Sequence, residues 1–177
     1  MADPLEVRHT GLTMLSTSPA DTRGLAAALA AVAEPGDLLC LWGDLGAGKT
    51  VFAKGFGAGL GVVETISSPS FVLMTEYQGR LPLFHLDLYR LAGAEDALAG
   101  GLVDERQAAG VTLVEWPDRL GVALPADRLD VRIDATTDDG RRIVLSPGSA
   151  GFARYIMAAA TPATTASAGR SPGVELG

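Results

Sequence analysis

The eight residues GDLGAGKT, Gly43 to Thr50, restrict the possible folds of this chain more than any other stretch. They follow directly on the apolar run DLLCLW, Asp37 to Trp42, which reads as a short buried strand. They contain three glycines and one of the only two lysines in the chain, Lys49 and Lys54. The pattern G-x-x-x-x-G-K-[ST] is met by Gly43, Gly48, Lys49 and Thr50. Residues without Cβ take positive φ easily, so such a loop can wrap a phosphate with its N–H groups turned inward. A helix that starts at the loop adds the positive end of its dipole. In this arrangement Lys49 reaches the β- and γ-phosphates and the Thr50 hydroxyl holds Mg²⁺. The nucleotide-binding stretch is thus Gly43, Asp44, Leu45, Gly46, Ala47, Gly48, Lys49, Thr50 and Val51. The plain reading beside it is a glycine-rich turn with a chance lysine. The helix after the loop has Val51, Phe52, Phe56 and Leu60 near helical spacing, although Gly55, Gly57 and Gly59 weaken it by propensity.

Composition narrows the partners. The chain has 177 residues and is 47% hydrophobic, enough for one domain with a sizeable core. Its net charge is −7, from 14 Lys and Arg against 21 Asp and Glu. A protein that grips nucleic acid by itself carries a basic face, so strong direct binding to RNA or DNA is not expected. The single cysteine, Cys40, lies inside the strand before the loop and reads as a small buried apolar residue. The start MADPLEVRHT lacks an apolar run, and no stretch of about 18 apolar residues occurs, so a cytoplasmic protein with no membrane attachment is expected.

The rest of the chain alternates strands and helices. Leu12 to Thr17 reads as a strand. Ser18 reads as the N-cap of a helix with Pro19 in its first position, and Pro35-Gly36 stops it. VLMTEY and LPLFHLDLY read as strands joined through QGR in a hairpin. GAEDALAGGLVDERQAAG, Gly93 to Gly110, is helical by pattern. VTLVEW is a compact apolar strand. LDVRID and RRIVLS flank TTDDG as a second hairpin, and GFARYIMAAA reads as a last helix. The expected architecture is α/β: a mixed sheet with parallel core strands and β-hairpins, and helices on both faces. Residues 1–157 form one domain on this reading, with 158–177 as a disordered tail rich in Ala, Thr, Ser, Pro and Gly.

A nucleotide hydrolase also needs a carboxylate at the end of a neighbouring strand. Asp87 in LFHLDLYR and Glu115 in VTLVEWP end apolar strands, and the ends of parallel strands gather at one edge of such a sheet. Each is otherwise an ordinary exposed acid at a strand end. SSPSF falls between the loop helix and the Asp87 strand, where a segment sensing the γ-phosphate is expected. Its hydroxyls are Ser67, Ser68 and Ser70. His85 shares the face of Asp87 by strand alternation, either orienting a carboxylate or water or serving as a structural histidine. Tyr89 and Arg90 are candidates to contact phosphate or a partner. Trp116 is read as core packing, with a lid over the site as the other reading.

The four segments GDLGAGKT, SPSF, HLDLYR and VEWP, in this order and spacing, resemble the signature of the TsaE (YjeE) family of small bacterial phosphate-loop ATPases. The resemblance runs from about Thr17 to about Leu145. It implies a Mg²⁺-dependent ATPase needed to form threonylcarbamoyladenosine beside the anticodon of tRNA. It also implies partners, the TsaB and TsaD proteins, of which TsaD performs the transfer. Carried over, Lys49 binds phosphate, Thr50 and Glu115 hold Mg²⁺, and Asp87 acts on water or metal. Lys49, Asp87 and Glu115 are then the catalytic set, and Ser18 and Thr22 lie near the adenine. Ser70 stands where the family usually has Thr, which keeps the hydroxyl, and Val51 where a second Thr is usual.

Two other classes share the loop. A small-molecule or nucleotide kinase needs a second substrate pocket and an Arg-rich lid, and LYRLAGAED offers one arginine. A GTPase needs an Asn-Lys-x-Asp element, and this chain has no asparagine.

Overall fold

The computed structural model describes residues 11–69, 73–93, 95–96, 105–136 and 139–161. Among them are seven strands: β1 (Leu12–Ser16), β2 (Leu38–Trp42), β3 (Met74–Tyr77), β4 (Leu83–Asp87), β5 (Val111–Glu115), β6 (Leu129–Ala135) and β7 (Arg141–Pro147). The α-helices are α1 (Pro19–Ala31), α2 (Lys49–Gly59) and α3 (Ala153–Ala160). The strands form one sheet in the order β1-β7-β6-β2-β5-β4-β3. β2 pairs in parallel with β5 and with β6, and β4 pairs in parallel with β5. The two hairpins, β3–β4 and β6–β7, and the pairing of β1 with β7 are antiparallel. The mixed sheet with parallel core strands expected from the sequence is therefore present.

Alternation along β2, β4 and β5 divides the apolar residues between the two faces. Leu39, Leu41, Leu83, Val111 and Leu113 pack with α1, α2 and α3 in one cluster. Cys40, Phe84, Leu86 and Val114 face the other way, against Leu88, Leu91 and Leu120. Helical segments cover both faces, and among the described residues the second face carries the 3-10 helix Pro117–Ala123. Burial there pushes the Cys40 thiol up to about 12, in keeping with an inert core residue. Of the helix expected at Gly93 to Gly110, residues 95–96 are helical and Glu105–Ala109 form a 3-10 helix; the remainder lies outside the described residues except Gly93 and Gly110, which stand outside those helices.

Local chemistry explains the helix ends. The Ser18 Oγ accepts from the Asp21 N–H at 3.1 Å, and the Asp21 carboxylate accepts from the Thr17 N–H and hydroxyl at 2.9 and 2.7 Å, a reciprocal cap for α1. At the far end of the domain α3 is tied to the start of β2. The buried Asp37 carboxylate accepts from the Arg154 guanidinium and the Tyr155 hydroxyl, each at 2.5 Å. It also accepts from the Glu34 N–H at 2.8 Å. Burial, with Asp37 beside it, pushes the Tyr155 phenol above its ordinary range. α3 also moves the domain boundary. Ala158 to Ala160 are helical and Ala159 is buried in the core, so the domain extends past residue 157. Residues 162–177 lie outside the described residues. No helix among the described residues is long and apolar enough to cross a membrane.

The glycines that weaken α2 by propensity have a packing reason. A Cβ on Gly55 would stand 2.5 Å from the Cα and carbonyl oxygen of Arg23, and one on Gly59 would stand 2.7 Å from those of Ala27. One turn apart on α2, they let its backbone approach that of α1. Gly55→Ala sets two effects against each other. Alanine gains about 1 kcal/mol in helix propensity, while forcing backbone from backbone in a packed core costs about 1–3 kcal/mol. The second effect wins here because the obstacle is main chain with no rotamer to change. The urea midpoint of Gly55→Ala is expected to fall by the equivalent of up to about 2 kcal/mol; a higher midpoint would show that the glycines do not set the α1–α2 distance.

Candidate functional site

β2 ends at Trp42 and the chain turns through the glycine loop into α2. Gly48 is the N-cap of α2 at φ 116° with no side-chain cap, so the first helical N–H groups carry no capping side chain at the loop. A Cβ on Gly43 would stand 2.3 Å from the Ile133 carbonyl oxygen of β6, which requires glycine where the loop leaves the sheet. Ala47 is buried, whereas Leu45 is 80% exposed at the mouth.

The parallel register brings the two candidate acids together. Asp87 at the end of β4 is level with Glu115 at the end of β5, and Glu115 is level with Leu41 of β2. Both carboxylates are almost wholly buried, as is Lys49. They line a cavity of about 430 Å³ with Gly46, Gly48, Thr50 and Val51. The Lys49 ammonium donates to the Gly43 and Asp44 carbonyls at 2.7 and 2.9 Å. Burial holds Lys49 below the ordinary lysine range, while Glu115, Asp87 and Asp44 act against that by favouring its charge. Thr50 Oγ1 donates to Glu115 Oε1 at 3.4 Å. Asp87 accepts from the Ser68 hydroxyl at 2.7 Å and from the Tyr89 N–H at 3.0 Å. Lys49, Thr50, Asp87 and Glu115, picked out from the sequence, thus surround one cavity.

Ser18 and Thr22 line a smaller cavity of about 120 Å³ with Ser16, Val51 and Arg141. Gly46 and Gly48 border both spaces. The Thr22 hydroxyl is engaged with Ser16 Oγ at 2.7 Å, inside the start of α1. Ser70 lies outside the described residues. In the same loop the Ser68 hydroxyl reaches Asp87.

Two aromatic and imidazole roles differ from the simplest expectation. His85 does lie on the face of Asp87, yet its Nε2 is 2.9 Å from Glu115 Oε1 on the next strand. His85 is fully buried, and its Nδ1 has no hydrogen-bond partner among the described residues. Trp116 packs on the second-face cluster, as expected, and its indole also lies over the Lys49 ammonium, 4.2 Å from ring centroid to Nζ, and against Tyr89 at 4.9 Å. It lines the cavity and takes left-handed backbone angles, φ 59° and ψ 51°, immediately before Pro117. A non-glycine residue held there costs on the order of 1–3 kcal/mol and is found where the surroundings fix the side chain. Trp116 thus packs on the core and borders the cavity at once.

The family model described as "Threonylcarbamoyl adenosine biosynthesis protein TsaE" matches residues 16–143. The chain belongs to the TsaE family. A TsaE protein of Bacillus subtilis, named for tRNA threonylcarbamoyladenosine biosynthesis, is 43% identical over 132 residues, covering 74% of this chain and 82% of that one. The TsaE protein of Treponema pallidum is 37% identical over 132 residues, 75% of this chain and 98% of its own. A crystal structure of Bacillus subtilis YdiB superposes with a TM-score of 0.68 at 38% identity, over 84% of this chain and 91% of that one. The TsaE match thus takes in α1, the glycine loop and both acidic strand ends, and the fold is that of a phosphate-loop NTPase.

The His85–Glu115 contact can be tested without any ligand. Leaving one buried partner orphaned costs about 1–3 kcal/mol, whereas replacing both by apolar groups is much milder. His85→Leu and Glu115→Met are each expected to lower stability in urea titrations. The double variant should lose less than the sum of the singles by about 0.5–3 kcal/mol. Additive losses would show that the two side chains are not energetically coupled.

Proposed function

We propose that this TsaE-family chain is a Mg²⁺-dependent ATPase that serves the formation of threonylcarbamoyladenosine on tRNA, acting with the TsaB and TsaD proteins. The observation that carries the reading is the gathering of Lys49, Thr50, Asp87 and Glu115 around one cavity, at the uncapped start of α2. The free N–H groups and dipole of a helix N-terminus favour an anion. Lys49 would meet the β- and γ-phosphates, and Ser18, Thr22 and Val51 border the smaller space beside the loop, where the base would lie.

The donor chemistry fits magnesium. The hydroxyl of Thr50 and the carboxylates of Glu115 and Asp87 are hard oxygen ligands. Among the described residues the charged side chains lining the cavity are one ammonium and two carboxyl groups, a poor balance for a polyphosphate on its own. Bound Mg²⁺ would supply charge neutralisation and a Lewis acid beside the phosphates. Glu115, contacted by Thr50 and by His85, is the metal ligand on this reading. Asp87, fixed by Ser68 and the Tyr89 N–H, would orient the attacking water. Trp116 and Tyr89 would shield the site from bulk solvent.

The partnership rests on the family and on charge. A chain of net charge −7 with two lysines is poorly equipped to release counterions from tRNA by itself, so tRNA contact would come through the partner proteins. Turnover is expected to be slow alone and to rise when TsaB and TsaD are added. Lys49→Ala should abolish ATP hydrolysis in both settings and weaken nucleotide binding, with the fold retained. ATP turnover with and without the partners, beside a tRNA titration, tests this. Near-normal turnover by folded Lys49→Ala would remove the phosphate-loop assignment, and strong salt-sensitive tRNA binding by the chain alone would remove the partner reading.

The two acids should separate by phenotype. Glu115→Ala is expected to weaken Mg²⁺-dependent ATP binding. Asp87→Ala should spare binding and lower kcat by about 10²-fold or more, the scale of a lost general base. Calorimetric titration of Mg-ATP together with single-turnover rates distinguishes them; swapped phenotypes reverse the roles, and two unaffected variants remove both residues from the site.

A further inference from the structure

Arg141 begins β7 and stands behind the glycine loop rather than inside the cavity of Lys49. Its guanidinium is engaged with carbonyl oxygens. Nε donates to Ala47 at 2.6 Å, and one terminal nitrogen donates to Gly140 at 2.7 Å and Asp139 at 3.1 Å. The other terminal nitrogen reaches Gly46 at 3.5 Å. No carboxylate pairs with it among the described residues. The residue thus joins two segments far apart in sequence, the loop after β2 and the turn between β6 and β7.

We infer that Arg141 is a positioning residue that sets the glycine loop for anion binding. A trans peptide is planar, so the N–H of one residue points opposite to the carbonyl of the residue before it. With the Ala47 carbonyl held on Arg141, the N–H of Gly48, the N-cap of α2, points away from Arg141. Its neighbours there are the first N–H groups of the helix, which carry no capping side chain. Five donors in a rigid plane suit this task, since they span several carbonyls at once in a fixed geometry. The guanidinium charge also adds to the positive potential at the loop from a side that leaves Lys49 free to meet phosphate. Arg141 borders the smaller cavity as well, but the effect assigned here is on the phosphate side.

This inference rests on the nucleotide-binding reading above, and the experiment separates the two. Binding of Mg-ATP and of Mg-tripolyphosphate, which has no base, is measured on the wild type, Arg141→Ala and Arg141→Lys. Wild type should bind both. Arg141→Ala should lose about tenfold or more for both ligands alike, as expected for losing hydrogen bonds from a charged group, with little change in melting temperature. Arg141→Lys, which keeps the charge and the stem, should fail to restore affinity because one ammonium cannot span the Ala47, Gly46 and Gly140 carbonyls together. If Arg141→Ala does not fold, Arg141→Lys alone carries the test. Wild-type affinity in Arg141→Lys would overturn the inference, and so would wild-type affinity in a folded Arg141→Ala. A loss for ATP without a loss for tripolyphosphate would also overturn it, placing Arg141 at the base instead. Failure of the wild type to bind either ligand would overturn the nucleotide reading, and this inference with it.

Discussion

The register of three parallel strands sets everything at the site. β2 is level with β5 so that Leu41 stands beside Glu115, and β5 is level with β4 so that Glu115 stands beside Asp87. A slip of one residue in either pairing would turn a carboxylate to the opposite face of the sheet. The register is held because both faces are buried: Leu39, Leu41, Leu83 and Leu113 on the α-helical side, and Cys40, Phe84 and Val114 on the other. A sheet covered on both faces has no tolerance for exchange between them. The apolar content of β2, β4 and β5 is therefore what places two acids beside the end of β2.

Packing and charge then make opposite demands at the loop. α2 must start at the sheet edge, close to β6, and must lie close on α1 through Gly55 and Gly59. The same helix brings Lys49 into a buried setting, where an ammonium without partners would be costly. The Gly43 and Asp44 carbonyls, the Trp116 face and the two neighbouring acids answer that cost. The acids in turn are not left orphaned. Glu115 contacts Thr50 and His85, and Asp87 contacts Ser68 and the Tyr89 N–H. Each buried charge at this edge has hydrogen-bonding partners from a different element, so the site keeps its shape through the same contacts that make it polar.

Features that follow from a short run of residues were legible in the sequence. The loop, β2 before it and the Ser18 cap need only their own neighbours, and both hairpins announce themselves by turn residues between alternating runs. The mixed sheet and the acids at strand ends were legible for the same reason. What depends on a distant partner was not. Alternation put His85 on the correct face but could not reveal that the register hands it to Glu115 across the strand boundary. Trp116 reads as packing, which it provides on the second face, but its left-handed backbone, which turns the ring over Lys49 as well, leaves no mark in VEWP. The glycines of α2 looked like a weakness because α1, which they fit, begins some thirty residues earlier (Pro19 against Lys49). Arg141 gave no signal at all, since its contact with the loop exists only because β6 pairs with β2.

The sheet order also explains why one edge serves two sides of a ligand. β2 is central, with β5, β4 and β3 on one flank and β6, β7 and β1 on the other. The first flank supplies the acids and Trp116, which lines the cavity. The second supplies Ser16 at the end of β1 and Arg141 at the start of β7, the residues that border the smaller cavity together with Ser18 and Thr22. On the proposed reading, the metal and reacting phosphate belong to the β5–β4 flank, and the base to the flank of β6, β7 and β1. The glycine loop lies between them, with Lys49 facing the first and the Ala47 carbonyl held on the second. Replacing an acid would then disturb chemistry and metal without touching the base side. Disturbing β6–β7 would reach the phosphates only through the loop, and the Arg141 contact is the connection by which it does so.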